Sequence, residues 1–407
     1  MNKDDYTIES GHLKIRNGVT KIEDYAFSSC SELTVATIPA GVTELGFHAF
    51  YGCNNLRSIT FPEGIGYIGD DAFQGCSALT SMNIPGSVTS ICRNAFRDCI
   101  GLSEIVIPGS VTYIGDYAFA GCTGLTKITI PESVTEMGDF VFYGCTGLTE
   151  INVAKNNPNY CSSDGVLFNK DKTTIICCPI GKRETYSIPE GVAEIEDKAF
   201  FGCSGLEGIT IPEGVTYIGQ DAFRGCTGLT AIAIPEGVTY IGQDAFRGCT
   251  GLTAIAIPES VTQIEIAVFH GCSGLTAIAI PKDVTLIRGH AFKGCSGLTE
   301  ITIPERVTEI EEQAFEGCTG LRAITLPGNL KIMRWQAFEG CTGLKIITCP
   351  YSTFMRFGNE FYSAKFSKLV ILVDDSEYGK TEVYRAAVLN KESVAPDAEI
   401  LFKIKGE

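Results

Sequence analysis

The chain is poor in positive charge, in histidine and in tryptophan, and each shortage excludes something. Lys and Arg number 32 against 48 Asp and Glu, a formal net charge of −16. That balance repels phosphate backbones and anionic lipid, so no nucleic acid partner is expected. No run approaches the roughly eighteen consecutive apolar residues of a membrane helix, so no membrane insertion is expected either. The start, MNKDDYTIES, has neither the basic region nor the apolar stretch of a signal peptide, and as written it carries no address. The four histidines, His12, His48, His270 and His290, stand in different repeats without HExxH spacing, which leaves little for a metal or a His-based catalytic site. There is no P-loop lysine, GxGxxG register or G-x-S-x-G elbow. Adjacent carboxylates such as Asp70–Asp71 and Glu311–Glu312 lack the asymmetric surroundings that drive two pKa values apart. N-x-S/T sequons are absent. The expectation is a protein that is not an enzyme and uses no cofactor and no metal.

What is present is a repeat in a chain that is 44% hydrophobic and 20% charged, ample for a packed interior. Of the 18 cysteines, thirteen lie on one 23-residue period, from Cys30 to Cys145 and again from Cys203 to Cys341. A residue recurring once per unit, in the phrase A-F-x-G-C, reads as a small buried hydrophobe in a stack. Zinc would want pairs such as CxxC, and the one close pair, Cys177–Cys178, is too tight for one tetrahedral ion. An inward parallel stack rarely offers the Cβ–S–S–Cβ twist of a disulfide, so free thiols are expected.

Phenylalanine keeps the same beat, from Phe27 to Phe142 and from Phe200 to Phe338, and residues 212–234 recur unchanged as 235–257. In the unit LTAIAIPESVTQIEIAVFHGCSG, beginning at Leu252, the alternating LTAIAI reads as a short strand with Ile255 and Ile257 inward. Pro258 closes it, SVTQI forms a second extended stretch, and the residues leading into A-F-x-G-C read as one helical turn. Asp24, Asp70, Asp116, Asp139 and Asp197, three residues before the marker Phe, would cap that turn. The glycine after it, as in Gly225 or Gly248, stands where positive φ is needed, with Ser29 and Asp98 as exceptions. A unit this short cannot bury its apolar residues alone, so units must stack into a solenoid. About fourteen rungs at a spacing of roughly 4.8 Å give a sheet ~65–70 Å long.

The phrase LTxIxIPxxVTxIGxxAFxGCxG resembles the BspA-like leucine-rich repeat of bacterial and some protist surface proteins, over roughly residues 13–350. The resemblance implies an α/β, strand-rich, right-handed and arc-shaped solenoid with its parallel sheet on the concave face. It also implies a non-enzymatic adhesion or interaction protein at the cell surface or secreted. The expected organisation is an N-terminal cap (1–12), a first repeat block (13–153), an inserted segment (154–188), a second block (189–350) and a C-terminal cap (351–407). In the insertion, GVLF and TTIICC around Asn169–Lys172 read as a β-hairpin in which Cys161 faces neither Cys177 nor Cys178. A similar DGVLFNKDKTT segment belongs to the resemblance. The C-terminal cap reads as strand (KLVILVDD), helix (SEYGKTEVYRAAVLNKES) and strand (EILFKIK).

Function in a solenoid belongs to the outward positions. One step after the marker Phe, Arg224, Arg247, His270 and Lys293 form a basic row in four consecutive rungs, which reads as an anion-binding strip. The plainer reading, a solvated edge copied by duplication, weighs more, because two of these rungs are identical. Tyr217 and Tyr240 recur in the second extended segment as contact residues or as packing between rungs, and Trp335 in the last full rung is an anchor or part of the cap contact. The partner expected is a protein or a glycan. The reading from another class is an intracellular structural or assembly scaffold, suggested by the missing leader and the many thiols.

Overall fold

The computed structural model describes residues 5–357, 368–373 and 399–404. They fall into two compact units, one ending at Lys182 and the other starting at Arg183, a boundary inside the inserted segment. In both, successive turns of the chain place residues 23 apart beside one another.

The first unit opens with an antiparallel hairpin, Tyr6–Glu9 against His12–Ile15. Parallel strands follow at Val35–Thr37, Ser58–Thr60, Ser81–Asn83, Glu104–Val106, Lys127–Ile130 and Glu150–Val153. Each holds a buried central residue in register with its neighbour, as Ala36 with Ile59 and Ile128 with Ile151. The second extended stretch forms its own parallel ladder, Tyr67–Ile68, Ser90–Ile91, Tyr113–Ile114 and Glu136–Met137, with the Ile or Met inward. Threonine hydroxyls run beside it, Thr89 donating to the Gly66 carbonyl and Thr112 to that of Thr89.

The third segment, A-F-x-G-C, departs from expectation: it is a run of turns and not a helical turn. The residue two before each marker Phe is left-handed without being glycine, as at His48 (φ 55), Tyr117 (φ 56), Asp221 (φ 54) and Gln336 (φ 59). That torsion stops a helix from propagating and points alternate amides at the next rung instead. Thus Asp221, Phe223 and Gly225 donate their N–H groups to the carbonyls of Gln243, Ala245 and Arg247. The aspartates expected as caps accept from the following rung rather than from their own: Asp24 Oδ1 from the Phe47 amide at 2.9 Å and Asp197 Oδ1 from that of Gln220 at 2.7 Å. The glycine position is left-handed throughout, with Ser29 and Asp98 both at φ 58.

Inside run the side-chain ladders. The phenylalanine rings stack face to face, Phe50 on Phe73 at 5.5 Å and Phe223 on Phe246 at 5.3 Å. At the start of each unit a tyrosine closes the stack: Tyr6 meets Phe27 edge-on at 5.0 Å, and Tyr186 lies tilted on Phe200 at 6.1 Å. The second unit repeats the scheme, with strands Glu184–Ser187, Leu206–Thr210, Ala231–Ala233, Ala254–Ala256, Ala277–Ala279, Glu300–Thr302, Ala323–Thr325 and Ile346–Thr348.

The insertion contains the expected hairpin, Val166–Asn169 with Thr174–Cys177, and a further antiparallel strand before it, Tyr160–Ser163. YCSS lacks the apolar alternation that would have announced a strand. This meander is tied to the strand Glu150–Val153: Ile151 donates to the Gly165 carbonyl (2.8 Å) and Val153 to Ser162 Oγ (3.0 Å). The amide of the buried Asn157 bonds the carbonyls of Pro131 and Val134, both at 2.8 Å.

At the other end, strands Lys368–Val373 and Glu399–Ile404 continue in parallel from Ile346–Thr348. The expected cap of strand, helix and strand is not supported as such. The helix that is described, Tyr351–Phe357, precedes both strands, and the stretch expected as a helix between them lies outside the described residues.

Candidate functional site

All eighteen cysteines are thiols, without a disulfide. Burial was legible in the period, but the hydrogen bond was not: Cys249 donates its S–H to the carbonyl of Phe223 in the preceding rung at 3.1 Å, and Cys53 to that of Phe27 at 2.9 Å. Desolvation pushes Cys53, Cys145, Cys249 and Cys295 up to about 12. These groups are therefore neutral donors of the core and poor nucleophiles or metal ligands. Among the described residues no three His, Cys, Asp or Glu side chains gather as a metal would require.

The outward positions divide into three surfaces. On the first-strand face three consecutive rungs of the second unit expose only alanine, at Ala231 and Ala233, Ala254 and Ala256, and Ala277 and Ala279. On the second-strand face Tyr217 and Tyr240 stack with ring centroids 5.2 Å apart, at an angle of 14°, and remain partly exposed. Further along that face stand exposed Ile332 and, just beyond the strand, Trp335.

The third surface is the edge formed by the turns, where the residues two before and one after the marker Phe stand side by side. The row of Arg224, Arg247, His270 and Lys293 lies here on neighbouring rungs, and its charges are answered within the molecule. Arg224 pairs with Asp221 and Arg247 with Asp244, each at 3.1 Å, and Lys293 with Glu316 at 2.8 Å. Burial, then the nearby Arg247 and Lys293, pushes the His270 pKa down and favours the neutral imidazole. The ring of His290 lies 6.4 Å from that of His270.

In the first unit the same edge is aromatic at two places, separated by rungs that carry Asp71, Gln74, Asn94 and Arg97. Tyr25 stacks on His48 at 4.6 Å and 17°, and His48 tilts against Tyr51 at 5.5 Å. Farther along, Tyr117 stacks on Phe140 at 4.8 Å, Tyr143 meets both edge-on, and the Arg97 guanidinium lies 5.6 Å from the Tyr117 centroid. Sequence reasoning followed one ladder of this edge and missed the aromatic stretch. The signal was there in the rungs written in register, where the positions two before and one after the marker Phe carry Tyr117, Phe140 and Tyr143.

Comparison with known proteins places this arrangement. The model of the BspA-type leucine-rich repeat region matches residues 6–123, 89–172, 180–299 and 285–378, with six copies. A leucine-rich repeat protein from Eubacterium ventriosum is 28% identical, over 83% of this chain and 92% of that one, with a TM-score of 0.74. A leucine-rich cell surface protein from Faecalibacterium prausnitzii is 32% identical, over 79% of this chain and 85% of that one, with a TM-score of 0.56. The pneumococcal vaccine antigen PcpA, 21% identical over 99% of this chain and 98% of its own, shares the fold at a TM-score of 0.57. No curated protein matches the chain.

Proposed function

Since the chain belongs to the BspA-type leucine-rich repeat family, we propose that it is a non-catalytic interaction scaffold displayed at the cell surface or secreted. The observation that carries this reading is the division of labour within each rung. Inward positions repeat almost without change, while the outward positions on the same rigid backbone vary from tyrosine to aspartate to arginine. Such a surface can be altered residue by residue without cost to the core, which is what a binding face requires. The cell surface protein from Faecalibacterium prausnitzii, alike over four-fifths of the chain, supports the location.

The test is protease shaving of intact cells followed by fractionation and detection with an antiserum. Surface display predicts loss of the full-length band from unbroken cells while a cytosolic marker survives. Protection until lysis would return the protein to the interior as an assembly scaffold.

A further inference from the structure

We infer that the turn edge of the first two rungs, around Tyr25, Phe47 and Tyr51, docks an arginine-rich segment of a partner protein; this rests on the scaffold reading above. Tyr25 and Tyr51, 60% and 36% exposed, flank the His48 ring on this edge, and Phe47, the residue before His48, is 49% exposed. Their frame is rigid. Tyr25 (φ 59) and His48 (φ 55) are both left-handed, the Tyr25 amide donates to the Phe47 carbonyl at 2.9 Å, and the His48 ring fills the space between Tyr25 and Tyr51. Rigid, exposed tyrosines lose little entropy on binding and are enriched at binding hot spots.

The charge around the rings selects the partner. Glu23, Asp24 and Glu44 are exposed in these two rungs, while Asp71 is largely buried and faces His48 Nε2 at 3.5 Å. Lys21, in the first of these rungs, is already shared between Glu23 at 4.0 Å and Glu44 at 3.5 Å. With a chain charge of −16, a cationic segment is drawn to this face and an anionic one is repelled. The edge also shows the contact in miniature. Arg97 places its guanidinium 5.6 Å from the Tyr117 centroid, and Arg224 lies 5.5 Å from that of Phe201, each one rung away from its ring. A guanidinium stacks flat on a ring and forks to a carboxylate, which an ammonium does not do, so arginine is favoured over lysine. An uncharged sugar could use both the rings and the carboxylates, through its hydroxyls, and gains nothing from the net negative charge; a dextran probe separates the two.

The test uses the full chain and three probes: a Gly-Arg alternating peptide with three arginines, its lysine counterpart, and a neutral dextran oligosaccharide. The variant carries Tyr25→Asn, Phe47→Gln and Tyr51→Gln. Each new residue occupies the equivalent position elsewhere in the chain (Asn94, Gln220, Gln74), so fold and net charge are kept, and an unchanged melting temperature verifies this. The expected result is arginine peptide binding about tenfold tighter than lysine peptide, with that preference lost in the variant. Equal binding of the two peptides, absence of peptide binding, or binding of dextran alone overturns the inference. Retrieval of a protein partner by crosslinking on cells, equally with wild type and variant, would leave the scaffold reading standing and remove this site.

Discussion

The two units share one interior and differ at one edge. Phe96 in the first and Phe246 in the second are both fully buried between stacked rings, and Cys99 and Cys249 each donate to the phenylalanine carbonyl of the preceding rung. The edge two residues earlier carries Tyr25, Tyr117 and Phe140 in the first unit but Asp221 and Asp244, paired with Arg224 and Arg247, in the second. The backbone does not distinguish them: Tyr117 and Asp244 have φ of 56 and 55. Core ladders are held by close packing, where one methylene matters, whereas at the edge the outer half of each pair is more than a third exposed and the position is open to change. The interior therefore makes the units alike, and the edge makes them different surfaces.

The largest effect that could break this likeness is alkaline. Desolvation raises the buried thiols, so they stabilise the fold fully below the ordinary value of 9.0 and lose that contribution as pH rises towards about 12. Each such thiol costs about 1.4 kcal/mol per pH unit across that window. Cys53 and Cys145 lie in the first unit and Cys249 and Cys295 in the second, so both should unfold between pH 9 and 12. Far-ultraviolet circular dichroism read beside thiolate absorbance checks this. More thiolate at pH 9 than the partly exposed Cys30, Cys92, Cys161 and Cys177 can supply, with the spectrum unchanged, would mean that the ladder is wet.

Next in size is the phenylalanine stack. Phe96→Ala and Phe246→Ala each remove a fully buried ring and should cost roughly 3–5 kcal/mol, by similar amounts in the two units. Phe27→Ala should cost less, because Phe27 is held on one side by the edge of Tyr6 instead of the face of another rung. Hydrogen exchange of the neighbouring amides resolves the losses locally. Equal losses at Phe27 and Phe246 would contradict a gradient from end to centre.

Much of this was legible in the sequence. A 23-residue period can be satisfied only by stacked turns, and the alternation of LTAIAI fixed which isoleucines face inward. What could not be read is where the backbone is left-handed without glycine. At Asp71, Tyr117 and Ala267 no residue type marks the torsion, because the next rung's carbonyls impose it and those are 22 residues away. The same long-range cause hid the aspartate bonds across rungs and the thiol donors. At the edge, the basic row was visible as a spacing, but the acids that neutralise it belong to a second ladder, at Asp221 and Asp244, that meets the first only in three dimensions.

The smallest effect concerns that row. With Arg224 and Arg247 held by their aspartates and Lys293 by Glu316, the edge of the second unit should hold a sulfated-glycan column weakly or not at all at low salt. Asp221→Asn with Asp244→Asn releases two guanidinium groups onto neighbouring rungs and removes two opposing charges. The guanidinium of each pair is more than a third exposed but the carboxylate is buried, so the isosteric Asn keeps the packing and stability should fall modestly, while two cations acting together gain on a repeating polyanion. The double variant should elute at higher salt than wild type, and adding Arg224→Gln with Arg247→Gln should abolish the gain. Elution of wild type at the same salt as the double variant would show that the ion pairs do not mask the row, and that the second unit already presents a basic face opposite in character to the aromatic edge of the first.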